Sequence, residues 1–272
     1  MVNIHDFDAF CFDLDGTIYV GDQLLPGVKE TIDHLREANK KILFITNSPT
    51  LTRADCQKRL IEMGIAADVE EVLTATFLSA LYFLEKHPRA SIFVVGEKAL
   101  EEELSHLDLH TTKDPLKATH VLVGMDRDFT YQKLNLAMNA ARNGAKLVLT
   151  NPDPACPVPG GFISDTMAIA RAIEAASDRP IDHVVGKPSP FYAEKVLEKL
   201  QLPADRCLII GDRLETDIML GKVDNFRTCL VLTGSSCKED VRRVKIYPDY
   251  LVENLENFFR KADVRYLFET FL

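Results

Sequence analysis

The sequence predicts an α/β protein with a Rossmann-like parallel-sheet core and an inserted α/β domain. Short apolar runs alternate with amphipathic helical segments almost throughout the 272 residues, the pattern of a parallel sheet joined by crossover helices. Several runs end in polar or acidic residues, and the carboxyl edge of such a sheet is where open α/β folds bind ligands. The length itself suggests two domains. Residues 78–183 have their own strand and helix alternation but carry none of the chief motifs. The expected organisation is a core of residues 1–77 and 184–272, with 78–183 inserted as a cap.

Strands are expected at 9–12, 41–46, 91–95, 120–123, 146–150, 183–185, 207–210 and 228–232. Between them Val28, Ile32 and Leu35 recur at helical spacing, as do Cys56, Leu60 and Met63, where Gly64 ends the run. Thr130 starts a helix with Leu134, Met138 and Ala141 on one face and Gly144 just past its end. Ser189-Pro190 supplies a cap and a first-turn proline for a helix carrying Ala193, Leu197 and Leu200. Residues 151–161, with four prolines and two glycines, read as an unusually rigid loop with a task of its own. No internal repeat or low-complexity linker interrupts the pattern.

Lysine and arginine number 32 against 41 aspartates and glutamates, a net charge of −9. That balance argues against nucleic acid or an anionic membrane as partner, because no basic excess offsets phosphate repulsion. No apolar run approaches the roughly 18 residues of a membrane span. The six cysteines show no CxxC pair or zinc spacing. Cys11, Cys207 and Cys229 fall in expected strands, where a thiol acts as a small hydrophobe. With no leader-like N-terminus either, the expectation is a reduced, cytoplasmic protein.

Four motifs stand at strand ends. Ala9-Phe10-Cys11-Phe12-Asp13-Leu14-Asp15-Gly16-Thr17 presents two aspartates two positions apart. Carboxylates this close repel, so a cation or a shared proton belongs there, which suits a nucleophile, an acid/base partner and a hard divalent metal. The alternative is a hairpin turn at Asp15-Gly16 with 17–20 as the returning strand. Thr46-Asn47-Ser48 follows an apolar run, and its hydroxyl, amide or backbone N–H suits phosphate oxygens; a turn or cap sequence reads the same way. Lys187-Pro188-Ser189-Pro190 sets an ammonium beside a helix N-terminus, which is anion-binding geometry, or else leaves a lysine on a surface loop. Gly211-Asp212 ends another apolar run, placing Asp212 at the same edge as Asp13. Asp217 follows five residues later, placed to orient Asp212 or a metal-bound water; a capped helix with an acidic face is the alternative. Neither GxxxxGK[ST] nor GxGxxG is present, so no nucleotide P-loop or dinucleotide fingerprint is expected.

The order and spacing of these motifs around an insert resemble the haloacid dehalogenase (HAD) superfamily of phosphohydrolases. Asp13-Leu14-Asp15-Gly16-Thr17 matches its first motif, Thr46 its second, Lys187 its third, and Gly211-Asp212 with Asp217 its fourth. The middle of the chain resembles the large α/β cap of the nitrophenyl-phosphatase, or NagD-like, branch at Val123-Gly124-Met125-Asp126, Thr130–Leu134, Gly144-Ala145, Thr150-Asn151-Pro152-Asp153 and Val185–Ser189. Met219-Leu220-Gly221-Lys222, 230–235 and Tyr247-Pro248-Asp249-Tyr250 are similar to arabinose-operon sugar-phosphate phosphatases. Two stretches depart from the branch: Ile163-Ser164-Asp165-Thr166 replaces a common Pro-Gly-x-Gly, and Lys222–Phe226 replaces an Ala-Gly.

The resemblance implies an aspartyl-phosphate enzyme. Asp13 would be the nucleophile and Asp15 the acid/base. Mg²⁺ would sit on the Asp13 and Asp212 carboxylates and the Asp15 backbone carbonyl, with Thr46, Asn47 and Lys187 on the phosphate. The substrate would be a small phosphorylated metabolite, a sugar phosphate rather than a nucleoside monophosphate, with p-nitrophenyl phosphate also accepted. Asn151, Asp153 and Asp165 would form the cap face over the leaving group, unless Asp165 only caps the helix through Ile169, Ile173 and Ala176. Relatives also imply pairing of two copies through the caps. A metal-free carbon–halogen hydrolase would need neither Asp15 nor the fourth motif. A non-catalytic metabolite-binding regulator would not need the full catalytic set.

Overall fold

The structure is a computed structural model and describes residues 2–158 and 160–258. Those residues divide by contact into two compact units, one of 2–46, 57–73 and 192–258, the other of 47–56 and 74–191.

The first unit is built on a six-stranded sheet in the order Tyr250–Val252, Arg227–Val231, Cys207–Gly211, Ala9–Asp13, Lys41–Thr46 and Val72–Thr74. The pairings among the first five of these are parallel. Parallel strands covered on both faces read as continuous apolar runs, and every residue of Ala9–Asp13 and Cys207–Gly211 is buried. Phe12 lies in register with Phe44 on one side and Ile210 on the other. Helix Val28–Glu37 buries Val28, Ile32 and Leu35, the periodic face expected of it. At the amino edge Arg206 Nε and Nη2 grip Asp8 at 2.8 and 3.1 Å, tying together the starts of two neighbouring strands. The edge strands Val72–Thr74 and Tyr250–Val252 were not foreseen, since three residues are too few to show a period. The turn reading of Asp15-Gly16 holds in part: Gly16 N donates to Tyr19 O at 2.8 Å, and Tyr19–Val20 pairs antiparallel with Gln23–Leu24.

The second unit carries a four-stranded parallel sheet in the order Ile181–Val184, Lys146–Leu149, His120–Val123 and Ile92–Val95. Its core joins Val121, Val123, Leu147 and Leu149 to Ile169, Ala170 and Ile173 of helix Thr166–Ser177. On helix Tyr131–Arg142 the buried positions are Ala137, Ala140 and Ala141 rather than the larger Leu134 and Met138. Small side chains there let this helix pack closely beside Thr166–Ser177. The segment 151–161 is not a plain loop. Ala155–Val158 and Gly161–Ser164 pair as an antiparallel hairpin, with Pro159 outside the described residues. Proline masks this strand in sequence, yet a two-stranded ribbon is all edge, where a missing N–H is tolerated.

Among the described residues no helix is long and apolar enough to cross a membrane. None of the six cysteines is in a disulfide, and burial pushes the Cys207 thiol up to about 11. Because Phe44 is wholly buried between neighbouring strands, Phe44→Ala should destabilise the protein by about 3–5 kcal/mol. A fall in the urea midpoint of the purified variant measures this.

Candidate active site

Asp13 closes the central strand, and Asp212 follows the end of its parallel neighbour. Since Phe12 is in register with Ile210, the two chains leave the sheet side by side at its carboxyl edge. Asp217 arrives by a different route. After Asp212 the chain makes a π-helical turn, Leu214–Ile218, before helix Met219–Val223. Arg213 N donates to Asp217 Oδ2 at 3.1 Å, which holds the carboxylate back against the strand end. Gly211 makes room for it, as a Cβ there would lie 2.2 Å from Asp217 Cγ.

Asp13, Asp212 and Asp217 are all buried, and one carboxylate oxygen from each lies within 4.8 Å of the others. Asp217 therefore lies within the same cluster as Asp13 and Asp212. Burial, and then the charge of Asp217, push the Asp212 carboxyl up to about 6, against a Ser235 N–H that donates to Asp212 Oδ2 at 2.5 Å. Three hard oxygen donors in a buried, mutually repelling group fit a divalent cation such as Mg²⁺. Asp15, two residues beyond Asp13, is exposed. Thr46 is buried at the end of its strand, and its carbonyl accepts from Tyr192 Oη at 3.3 Å. Sequence reasoning missed Ser235; only the closeness of Thr233-Gly234-Ser235 to the fourth motif's neighbouring strand hinted at it.

The second unit gathers the remaining expected residues. Lys187 is 1 % exposed, so the surface-loop alternative is excluded. Its backbone is clasped by Asn47, whose Oδ1 accepts from Lys187 N at 2.8 Å while Nδ2 donates to Lys187 O at 3.1 Å. The Asn47 side-chain amide is therefore committed to the chain. Asn47 Nδ2 also donates to Asp153 Oδ2 at 3.0 Å, and Asn151 Nδ2 donates to the same oxygen at 2.9 Å.

Asn151, Asp153 and Asp165 do not form an open face. Each is buried, and the three are hydrogen-bonded together. Asp165 caps helix Thr166–Ser177, its Oδ1 accepting from Thr166 N at 2.5 Å. Burial raises its carboxyl above the usual range, with the charge of Asp153 adding to the shift. Asp165 thus acts as the helix cap that one reading of the sequence gives it, accepting from an N–H that the helix itself leaves without a partner.

A parallel sheet with acidic residues at its carboxyl edge and a second α/β unit inserted in its chain defines a class of hydrolase. The chain belongs to the haloacid dehalogenase-like hydrolases: that family's pattern matches residues 10–110, and a HAD-hydrolase-like pattern matches 184–258. Within the family it is a phosphatase of the NagD-like branch. It is 36 % identical to the sugar-phosphatase AraL of Bacillus subtilis over 92 % of both chains. It is 34 % identical to an acid sugar phosphatase of Staphylococcus epidermidis, over 92 % of this chain and 95 % of that one. Among solved structures it is similar to a 4-nitrophenylphosphatase from Thermotoga maritima, with a TM-score of 0.89 and 34 % identity over 95 % of this chain and 98 % of that one. Replacing Gly211 with alanine should force Asp217 off the strand end. Gly211→Ala should lose about 1–3 kcal/mol of stability, seen as a lower thermal midpoint, and should lower phosphatase activity as well.

Proposed function

We propose that this phosphatase works through an aspartyl-phosphate on Asp13, depends on a divalent cation, and acts on small phosphorylated sugars or polyols. The supporting observation is the buried group of Asp13, Asp212 and Asp217 with one oxygen each inside 4.8 Å. An aspartate is ionised at neutral pH, so Asp13 needs no base to act as nucleophile. Its carboxylate attacks phosphorus, the P–O ester bond breaks, and Asp15 gives its proton to the departing alkoxide. Asp15 then takes a proton from the water that attacks the acyl phosphate, releasing inorganic phosphate and restoring Asp13.

Asp13, Asp212 and Asp217, with the Asp15 carbonyl, would hold Mg²⁺, which when bound neutralises charge on the phosphoryl oxygens. Thr46, the Asn47 N–H and Lys187 are the proposed protein donors to those oxygens, the task that dominates phosphoryl transfer. Residues 78–183 are the proposed cap that selects the leaving group. Relatives named as sugar phosphatases favour sugar phosphates, and similarity to nitrophenylphosphatases favours an aryl ester as a usable probe. Six cysteines outside any disulfide, four of them buried, support a cytoplasmic site of action.

Asp13→Asn should keep the fold and lower turnover of p-nitrophenyl phosphate by at least about a thousandfold. A variant that retains more than a few per cent of activity removes Asp13 as nucleophile.

Asp212 also gives a pH dependence with a definite sign. Its folded-state carboxyl is raised to about 6 from an ordinary 3.8, so the cation-free folded state binds the extra proton between those values. Stability of the cation-free protein should therefore rise as pH falls from 7.5 towards 4.5, as far as this group contributes. Added Mg²⁺ should raise the thermal midpoint at pH 7.5, and raise it less at pH 5, where protons compete for the same oxygens. A midpoint unmoved by Mg²⁺ at pH 7.5 counts against the cation site.

A panel of phosphate esters tests the substrate. Sugar and polyol phosphates should give higher kcat/KM than nucleoside monophosphates, and the reverse order would overturn this assignment.

A further inference from the structure

We infer that Asp153 is a positioning residue for Lys187, acting through the side-chain amide of Asn47; the inference rests on the proposal that Lys187 binds the substrate phosphate. Asn47 replaces a strand neighbour for residue 187, accepting from its N–H at 2.8 Å and donating to its carbonyl at 3.1 Å. This double clasp works in only one orientation of the amide. If Oδ1 and Nδ2 exchanged places, an N–H would face the Lys187 N–H and an oxygen would face the Lys187 carbonyl. Asp153 selects the working orientation, because its Oδ2 accepts from Asn47 Nδ2 at 3.0 Å and rejects an amide oxygen there.

The selecting carboxylate is itself fixed. Asn151 Nδ2 donates to the same Oδ2 at 2.9 Å, and Asn151 Oδ1 accepts from Thr150 Oγ1 at 2.7 Å and Thr166 Oγ1 at 2.6 Å. The Asp153 carbonyl accepts from Met167 N at 3.0 Å, which seats the residue on the first turn of helix Thr166–Ser177. No Cβ fits at residue 186, where it would lie 2.4 Å from Thr150 O and 2.7 Å from Asn47 Oδ1. Gly186 therefore lets the amide come close enough to clasp its neighbour. The chain of contacts runs from the buried helix cap through half-buried Asn47 to the backbone of Lys187, a support for a buried ammonium.

A residue that acts only through Lys187 should lose its effect once Lys187 is gone, whereas a general structural defect would persist. The test is a double-mutant cycle on p-nitrophenyl phosphate hydrolysis by the full-length protein, with inhibition by inorganic phosphate as a second readout. Lys187→Ala should lower kcat/KM by about a hundredfold and weaken phosphate inhibition in parallel. Asp153→Leu should lower kcat/KM by about tenfold with the same weakening of phosphate inhibition. The double variant should match Lys187→Ala, not the product of the two losses. Asp153→Asn keeps an acceptor for the Asn47 amide and should recover most of the activity.

If Asp153→Leu does not fold, Asn47→Ala takes its place in the same cycle with the same expected result. Multiplying losses, or a loss with phosphate inhibition unchanged, would overturn the positioning role while leaving Lys187 as the phosphate donor. Full activity in Lys187→Ala would instead overturn the phosphate-binding reading on which it rests.

Discussion

Repulsion among three buried carboxylates is the constraint around which the first unit is arranged. Two unit charges about 5 Å apart repel by about 3 kcal/mol at an effective dielectric constant near 20. That exceeds the net worth of one hydrogen bond, about 1 kcal/mol, so the Ser235 N–H on Asp212 cannot balance the group by itself. Burial, and then the charge of Asp217, raise the Asp212 carboxyl, so a proton there relieves the repulsion, while the nearby Arg213 charge acts in the opposite sense. On the proposed aspartyl-phosphate mechanism the charge of the nucleophile has to be both retained and aimed.

The local chain geometry follows from bringing these groups together. Two parallel strands in register deliver Asp13 and Asp212 side by side, but no third strand delivers Asp217. The π-helical turn after Asp212 does that, folding the chain back so that Asp217 reaches the strand end it has just left. Such turns recur at functional sites because one extra residue per turn redirects a side chain without breaking the helix that follows. Gly211 is the matching concession on the strand, since any side chain there would occupy the place of the Asp217 carboxylate.

In the second unit the problem is solved with dipoles as well as charges. Asn47, Asn151, Asp153, Asp165, Thr150 and Thr166 satisfy one another so fully that the network directs structure rather than contacts with solvent. A buried network of this kind has high stakes, because every member left without its partner keeps the full desolvation penalty. It also explains why polar residues that read as a substrate-facing surface lie inside. Pro152 and Pro154 stiffen the chain around Asp153, and the carbonyls of Asp153 and Pro154 accept from Met167 N and Asp165 N at the start of helix Thr166–Ser177.

The sequence by itself determined the sheet and the strand-end chemistry. Eight expected strands appear within a few residues of their places; for all but the half-exposed Ile181–Val184, a mostly buried parallel strand is an apolar run that needs no distant information to be recognised. Asp13 and Asp212 at the carboxyl edge follow from the same runs, since their position is fixed by where each run stops. Only the tertiary structure decided that Asp217 lies in one cluster with those two, that the Asn47 amide serves the backbone of Lys187, and that Asp165 caps a helix. Three-residue edge strands and a proline-bearing hairpin were also beyond reach. The reason is common to all of them: periodicity reports which side of an element is apolar, whereas the partner of a polar side chain is chosen by groups distant in sequence that come together only on folding.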